Sequence, residues 1–129
     1  MSVTDAELSA LVGSHDIISL GMLAHDVRAA RHENRTTFVR VAHVTGVVGG
    51  AVSVPVTAGE VRILGRPMTS ADAAARVREV AGAAGTVPVS GYSLADLEQL
   101  AAREHVTLRA LLEILQAAGL ELVAEAPVD

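Results

Sequence analysis

From Glu60 onward the chain alternates short β-rich pieces with amphipathic helices, and no other feature restricts its fold as tightly. Glu60 to Leu64 reads as a strand, about Ala71 to Ala84 as a helix, and Thr86 to Ser90 as a strand. Two helices, capped by Ser93 and Thr107, then precede a final strand from Leu120 to Ala124. Antiparallel neighbours can be joined by a tight turn. Parallel neighbours need a connection long enough to return to the starting end of the sheet. Helices between successive strands therefore predict an α/β fold with a parallel sheet. Val77, Val80, Ala81 and Ala84 share one face of the first helix, Leu94, Leu97 and Leu100 one face of the second, and Leu108, Leu111, Leu112 and Leu115 one face of the third. Gly85 and Gly119 stand where glycine ends a helix.

The first half is less regular. Thr4-Asp5-Ala6-Glu7 has the spacing of a capping box, so a short helix begins there and ends near Gly13. Ser14 is placed to cap a longer helix from about His15 to Glu33, with Ile17, Leu20, Ala24 and Val27 at helical spacing and Asn34 as its stop. Thr36 to Val44 favours a strand, with Phe38, Arg40, Ala42 and Val44 on one side and Thr37, Val39, Val41 and His43 on the other. Val52 to Val56 and Glu60 to Leu64 suggest a β-hairpin over about 47–64, although the glycines and Pro55 leave the path of 44–64 open. Gly49-Gly50 is expected to form a tight turn rather than a cofactor-binding pair. The reading is a single domain, 1–129, with N-terminal helices (1–35), a strand and hairpin (36–64) and β/α units (65–129).

Composition removes several functions. Phe38 and Tyr92 are the only aromatics, so base-stacking platforms are lacking, and a net charge of −5 opposes binding to a phosphate backbone. Nucleic acid is not an expected partner. Glycines and Pro55 break the weakly polar run from Val44 to Ala58, which is too short to span a bilayer. The polar, acidic start does not resemble a secretory signal, and a cytoplasmic protein is expected. With no cysteine there is neither a disulfide nor a zinc-thiolate site. All ten basic residues are arginine, so lysine Schiff-base chemistry is excluded. There is no G-x-S-x-G motif and no Walker lysine.

Histidines are the remaining candidates for chemistry. His25 and His32 share a helical face but stand about 10.5 Å apart in rise, too far for one ion on a straight helix. Solvated or capping roles are expected, and no metal or cofactor is assigned. A tertiary metal site using His25 or His43 is the weaker alternative. His43 draws attention because it lies near the C-terminal end of the first strand. Tyr92 and Asp96 follow a later strand as further acid–base candidates, the bland reading being that Ser93 caps the next helix and Asp96 complements its dipole.

Two stretches resemble a known family. In Ser14 to Val41, Leu20, Gly21, Ala24, Val27, Arg28, His32, Asn34 and Arg35 match the helix that leads into the first barrel strand of the radical S-adenosylmethionine enzymes of menaquinone and deazaflavin synthesis. These are aminofutalosine synthase, dehypoxanthine futalosine cyclase and the FO synthases. Glu33 replaces the usual glycine. In Val87 to Val123, Tyr92, Ser93, Asp96 and Leu97, and then Leu112, Leu115, Ala118, Gly119 and Leu120, match a later barrel segment. The two stretches cover about half of the chain. The resemblance implies a TIM-barrel-like arrangement and places Tyr92, Ser93 and Asp96 at substrate-facing positions.

One departure limits the likeness. The family places C-x-x-x-C-x-x-C after the first strand to hold a four-iron cluster. Here the strand runs into Ala42-His43-Val44-Thr45-Gly46-Val47-Val48-Gly49-Gly50. A chain without thiolates cannot perform that radical chemistry. A full barrel needs about 250 residues, so 129 can supply a partial, half-barrel sheet with open edges. The expectation is a cluster-free relative that acts by binding a partner protein, a second copy of itself in a homodimer, a related pathway enzyme or a small ligand. A small enzyme acting on a quinone or nucleoside intermediate of menaquinone synthesis is the other reading.

Overall fold

The computed structural model describes residues 4–33 and 35–126. The chain divides into two compact units, Met1–Phe38 and Val39–Asp129.

In the first unit α1 (Asp5–Val12) and α2 (Ile17–His32) form where the capping and periodicity signals place them. The side chain of Glu7 and the expected stop at Asn34 lie outside the described residues. Asp16, not Ser14, caps α2: its carboxylate accepts the Ser19 N–H at 3.1 Å and the Ser19 hydroxyl at 2.6 Å. Asp16 outcompetes Ser14 because it adjoins the first helical turn, and its charge suits the positive end of the helix. Those bonds, the Ser19 hydroxyl foremost, hold its carboxyl below the usual value. At the other end Glu33 adopts φ 53°, the left-handed conformation that the glycine of the resembled motif would take without strain. The apolar face expected to be buried is not. Ile17, Ile18, Met22, Leu23 and Val27 are exposed, and α2 has no buried residue. A unit of two helices offers too little surface to enclose that face.

The second unit contains β1 (Val41–Thr45), β2 (Glu60–Leu64), α3 (Ser70–Ala84), β3 (Val89–Ser93), α4 (Leu94–Arg103), α5 (Leu108–Ala118) and β4 (Leu122–Glu125). The four strands form one parallel sheet in the order β1-β2-β3-β4. This is the α/β class expected from the alternation. With neighbouring strands joined in chain order, right-handed crossovers bring the helices to the same face of the sheet. That face is the core. Val61, Ile63 and Val89 from the sheet join Val77 and Val80 of α3, Leu97 and Leu100 of α4, and Leu111 and Leu115 of α5, none more than 1% exposed. The periodic residues read from the sequence are therefore the core residues. Only Ala81, Leu108 and Leu112 sit at its edge, partly buried, while Leu94 is half-buried outside it. Thr69, Ser93 and Thr107 each accept a backbone N–H of the helix they precede. Gly119 closes α5 at φ 112°.

Several expectations need correction. The hairpin over 47–64 does not form. Glu60–Leu64 pairs parallel to β1, and the intervening residues run as an irregular crossover without a strand at 52–56. Four glycines, Pro55 and a missing helical period deny this segment regular structure, yet Val52 and Val54 still pack against the core. The first strand starts at Val41 rather than Thr36, and β3 begins three residues beyond the expected Thr86, past Pro88. The tight turn at Gly49-Gly50 does form: the Gly50 N–H donates to the Val47 carbonyl at 3.0 Å, with Gly49 at φ 74°.

Candidate functional site

Two groups of polar side chains stand out in the second unit. One lies on the sheet face away from the core. In the register, His43, Arg62, Ser90 and Leu122 are lateral neighbours, and alternation puts Glu60 beside them. Glu60 is 8% exposed. Its Oε1 accepts from the Ser90 hydroxyl at 2.6 Å and from Arg62 Nη2 at 2.8 Å and Nε at 3.1 Å. The Ser90 bond first, then Arg62, holds the Glu60 carboxyl below its usual value. A carboxylate so satisfied is a poor base and a good anchor. His43 is exposed, adds a weak favourable field on Glu60, and points to this face.

The other group rims the carboxyl ends of the strands. A cleft of about 560 Å³ is walled by the β1 end and its loop, the residues after β2, α3 and Tyr92. Val47, Val48, Leu64 and Met68 give it an apolar side, and Arg66 and Asp72 a charged one. Next to it, a smaller cleft of about 250 Å³ lies between β2, β3 and β4 and includes Arg62, Arg66, Asp96 and Glu125. Arg66 borders both clefts, its Nε 2.8 Å from Asp96 Oδ1.

The loop after β1 is fixed from below. Arg76, fully buried on α3, donates through Nε to the Thr45 carbonyl at 2.7 Å and through Nη1 to the Gly50 carbonyl at 2.8 Å. Nη1 also pairs with Glu79 at 2.9 Å. Glu79 accepts the Gly49 N–H at 2.9 Å and 3.1 Å, and that bond first, then Arg76, lowers its pKa. One ion pair on α3 thus grips three successive parts of the loop.

The residues singled out from the sequence separate accordingly. Ser93 is the cap of α4, as the bland reading had it, and its Oγ accepts the Asp96 N–H at 3.1 Å. Asp96 stands in the first turn of α4 and faces the rim clefts. Tyr92 breaks the strand alternation at φ 58°, where β3 passes into α4 without a loop. Its ring turns into the core at 4% exposed, and its hydroxyl donates to the Ala73 carbonyl at 3.4 Å. Burial pushes the phenol up to about 12, so it is no base near neutral pH. His43 and Asp96 are on different surfaces, the open face and the rim. His25 and His32 are exposed on α2 in the first unit. Among the described residues no three His, Cys, Asp or Glu side chains group to hold a metal ion, and no helix is long and apolar enough to cross a membrane.

Sequence reasoning missed Glu60, Arg62, Ser90, Arg66 and the Arg76–Glu79 pair. Glu60 and Arg62 had a signal, since alternate charges in a five-residue strand share one face. Arg76 had none, because a charged residue at that place reads as a solvated helix position. Comparison with protein-family models, with curated proteins and with solved structures finds no match for this chain.

Proposed function

We propose that this chain works by binding rather than by catalysis. In this reading it is a cluster-free relative of the radical S-adenosylmethionine enzymes of menaquinone and deazaflavin synthesis. Its sheet is the partial counterpart of a TIM barrel, and it acts in the cytoplasm. It holds a small molecule at the carboxyl ends of the strands. The observation that carries the reading is the rim cleft of about 560 Å³, a volume suited to a metabolite, at the end of the sheet where open α/β folds take their ligands. Its apolar wall of Val47, Val48, Leu64 and Met68 favours a flat apolar ligand.

The groups that would perform acid–base work are otherwise engaged. The Tyr92 hydroxyl faces Ala73, Asp96 is paired with Arg66, and His43 belongs to neither cleft. The loop that would carry cluster ligands in the resembled enzymes is tied to Arg76 and Glu79.

Tyrosine fluorescence tests the reading, because Tyr92 is the only tyrosine, tryptophan is absent and the ring borders the cleft. Titration with a naphthoquinone and with a futalosine-type nucleoside should give saturable binding of one of them. Val48→Phe should block it by filling the cleft, and His43→Ala should leave it unchanged. No saturable binding of either compound would refute the ligand seat. Turnover of either compound, abolished by His43→Ala, would favour the enzyme reading instead.

A further inference from the structure

We propose that two copies of this chain join edge to edge, β4 of each against β1 of the other, and close their two parallel sheets into one ring of eight strands. The ring does not depend on the ligand seat.

Among the described residues β1 pairs only with β2, and β4 only with β3. Each outer strand therefore presents a row of unpaired backbone groups, a template for another strand. One usual protection is missing, since neither strand contains proline.

The two edges fit each other better than either fits itself. Residues 39–45 carry Arg40 and His43 and no acid. Residues 121–126 carry Glu121 and Glu125 and no base, both acids exposed. A β1–β1 junction would oppose cation to cation, a β4–β4 junction acid to acid, and both would run antiparallel. A β4–β1 junction opposes unlike charges and continues the parallel direction of the whole sheet. A two-fold axis along the strands makes both such junctions equivalent, so two copies leave no edge open. Eight parallel strands is also the number at which such sheets close with side chains filling the interior.

The surfaces beside the junction also match. Next to β4 a groove of about 830 Å³ runs along α5, with Leu108, Leu112 and Val123 on its apolar side and Arg109, Glu113 and Gln116 on its polar side. Next to β1 lies the crossover, with Val56 fully exposed. The crossover of the second copy is the occupant of the groove. The face turned inward by closure is prepared for enclosure. Glu60 and Arg62 neutralise each other there, and Ser90 completes the hydrogen bonding of the carboxylate.

Sedimentation equilibrium of the full chain, with amide hydrogen exchange at several concentrations, tests the proposal. The expected mass is twice 13.3 kDa, with protection of 41–45 and 122–125 rising with concentration. Arg40→Glu, and separately the pair Glu121→Arg with Glu125→Arg, should each weaken the dimer at least about tenfold at low salt. Combining all three substitutions should restore it. A monomer at every concentration would overturn the proposal, as would a dimer indifferent to the charge reversals. Assemblies larger than two would show that the edges pair without closing, and would overturn the ring. Circular dichroism establishes that each variant is folded.

Discussion

Replacing Arg76 with methionine should destabilise the sheet unit by about 2–4 kcal/mol, mainly by freeing the loop after β1. The guanidinium is wholly buried and donates to two backbone carbonyls, Thr45 at 2.7 Å and Gly50 at 2.8 Å. A hydrogen bond from a charged donor contributes about 1.5–3 kcal/mol net, so the two together contribute roughly 3–6 kcal/mol. Against this stands Nη2, buried without a partner, at a cost of about 1–3 kcal/mol that the substitution removes. Methionine occupies most of the space of the arginine stem, so little cavity opens. Urea unfolding followed by circular dichroism measures the loss, which for a unit of this size corresponds to a fall in Tm of at least about 8 °C. Hydrogen exchange locates it, because the Gly49 amide, held by Glu79, should exchange faster in the variant. A loss under about 1 kcal/mol would refute the clamp. So would a large loss with unchanged exchange at Gly49, which would place the effect in the core packing of α3.

Three further outcomes rest on single side chains. Glu60 has a folded pKa below its ordinary 4.5, so its contribution is present above that value and is lost as pH falls through the folded pKa. The urea midpoint should therefore drop on acidification below 4.5, and Ser90→Ala, which removes the largest cause, should flatten that drop. An unchanged slope would show the bond to be irrelevant. Tyr92, as the sole tyrosine, can be titrated directly by ultraviolet absorbance. Its midpoint should lie near 12 rather than 10.0, with stability lost as pH rises between those values, and an ordinary midpoint would show the ring to be solvated. Glu33→Gly should stabilise α2 by about 1 kcal/mol by relieving φ 53°, read as added helicity and a higher midpoint. A loss of helicity would show that the side chain, not the backbone, governs that end.

The periodic parts of the chain were legible because burial and period coincide there. Val77, Val80, Leu97, Leu100, Leu111 and Leu115 all lie where a 3.6-residue repeat places them, and Ser93, Thr107 and Gly119 mark helix ends in the expected way. The crossover from Thr45 to Glu60 was misread because its valines carry β propensity, while its conformation is set by long-range bonds to Arg76 and Glu79 that leave no local trace. The same locality explains Tyr92. An alternating strand should have turned it to the open face, but the direct passage into α4 forces a positive φ and sends the ring inward. For the site, the rim position of Asp96 was legible. The Glu60–Arg62 pair left a trace in the alternation of its strand, but the part of Ser90 did not, since it depends on the lateral register of two strands far apart in sequence.

The strand order has a consequence for how the molecule is made. Because each strand lies beside the one that precedes it along the chain, nothing in the sheet waits for a distant segment to be synthesised. A nascent polypeptide emerging from the ribosome can lay β2 on β1, then β3 with α3, then β4 with α4 and α5, each arrival resting on a surface already built. Growth by accretion keeps the apolar faces of the unfinished sheet covered in stages.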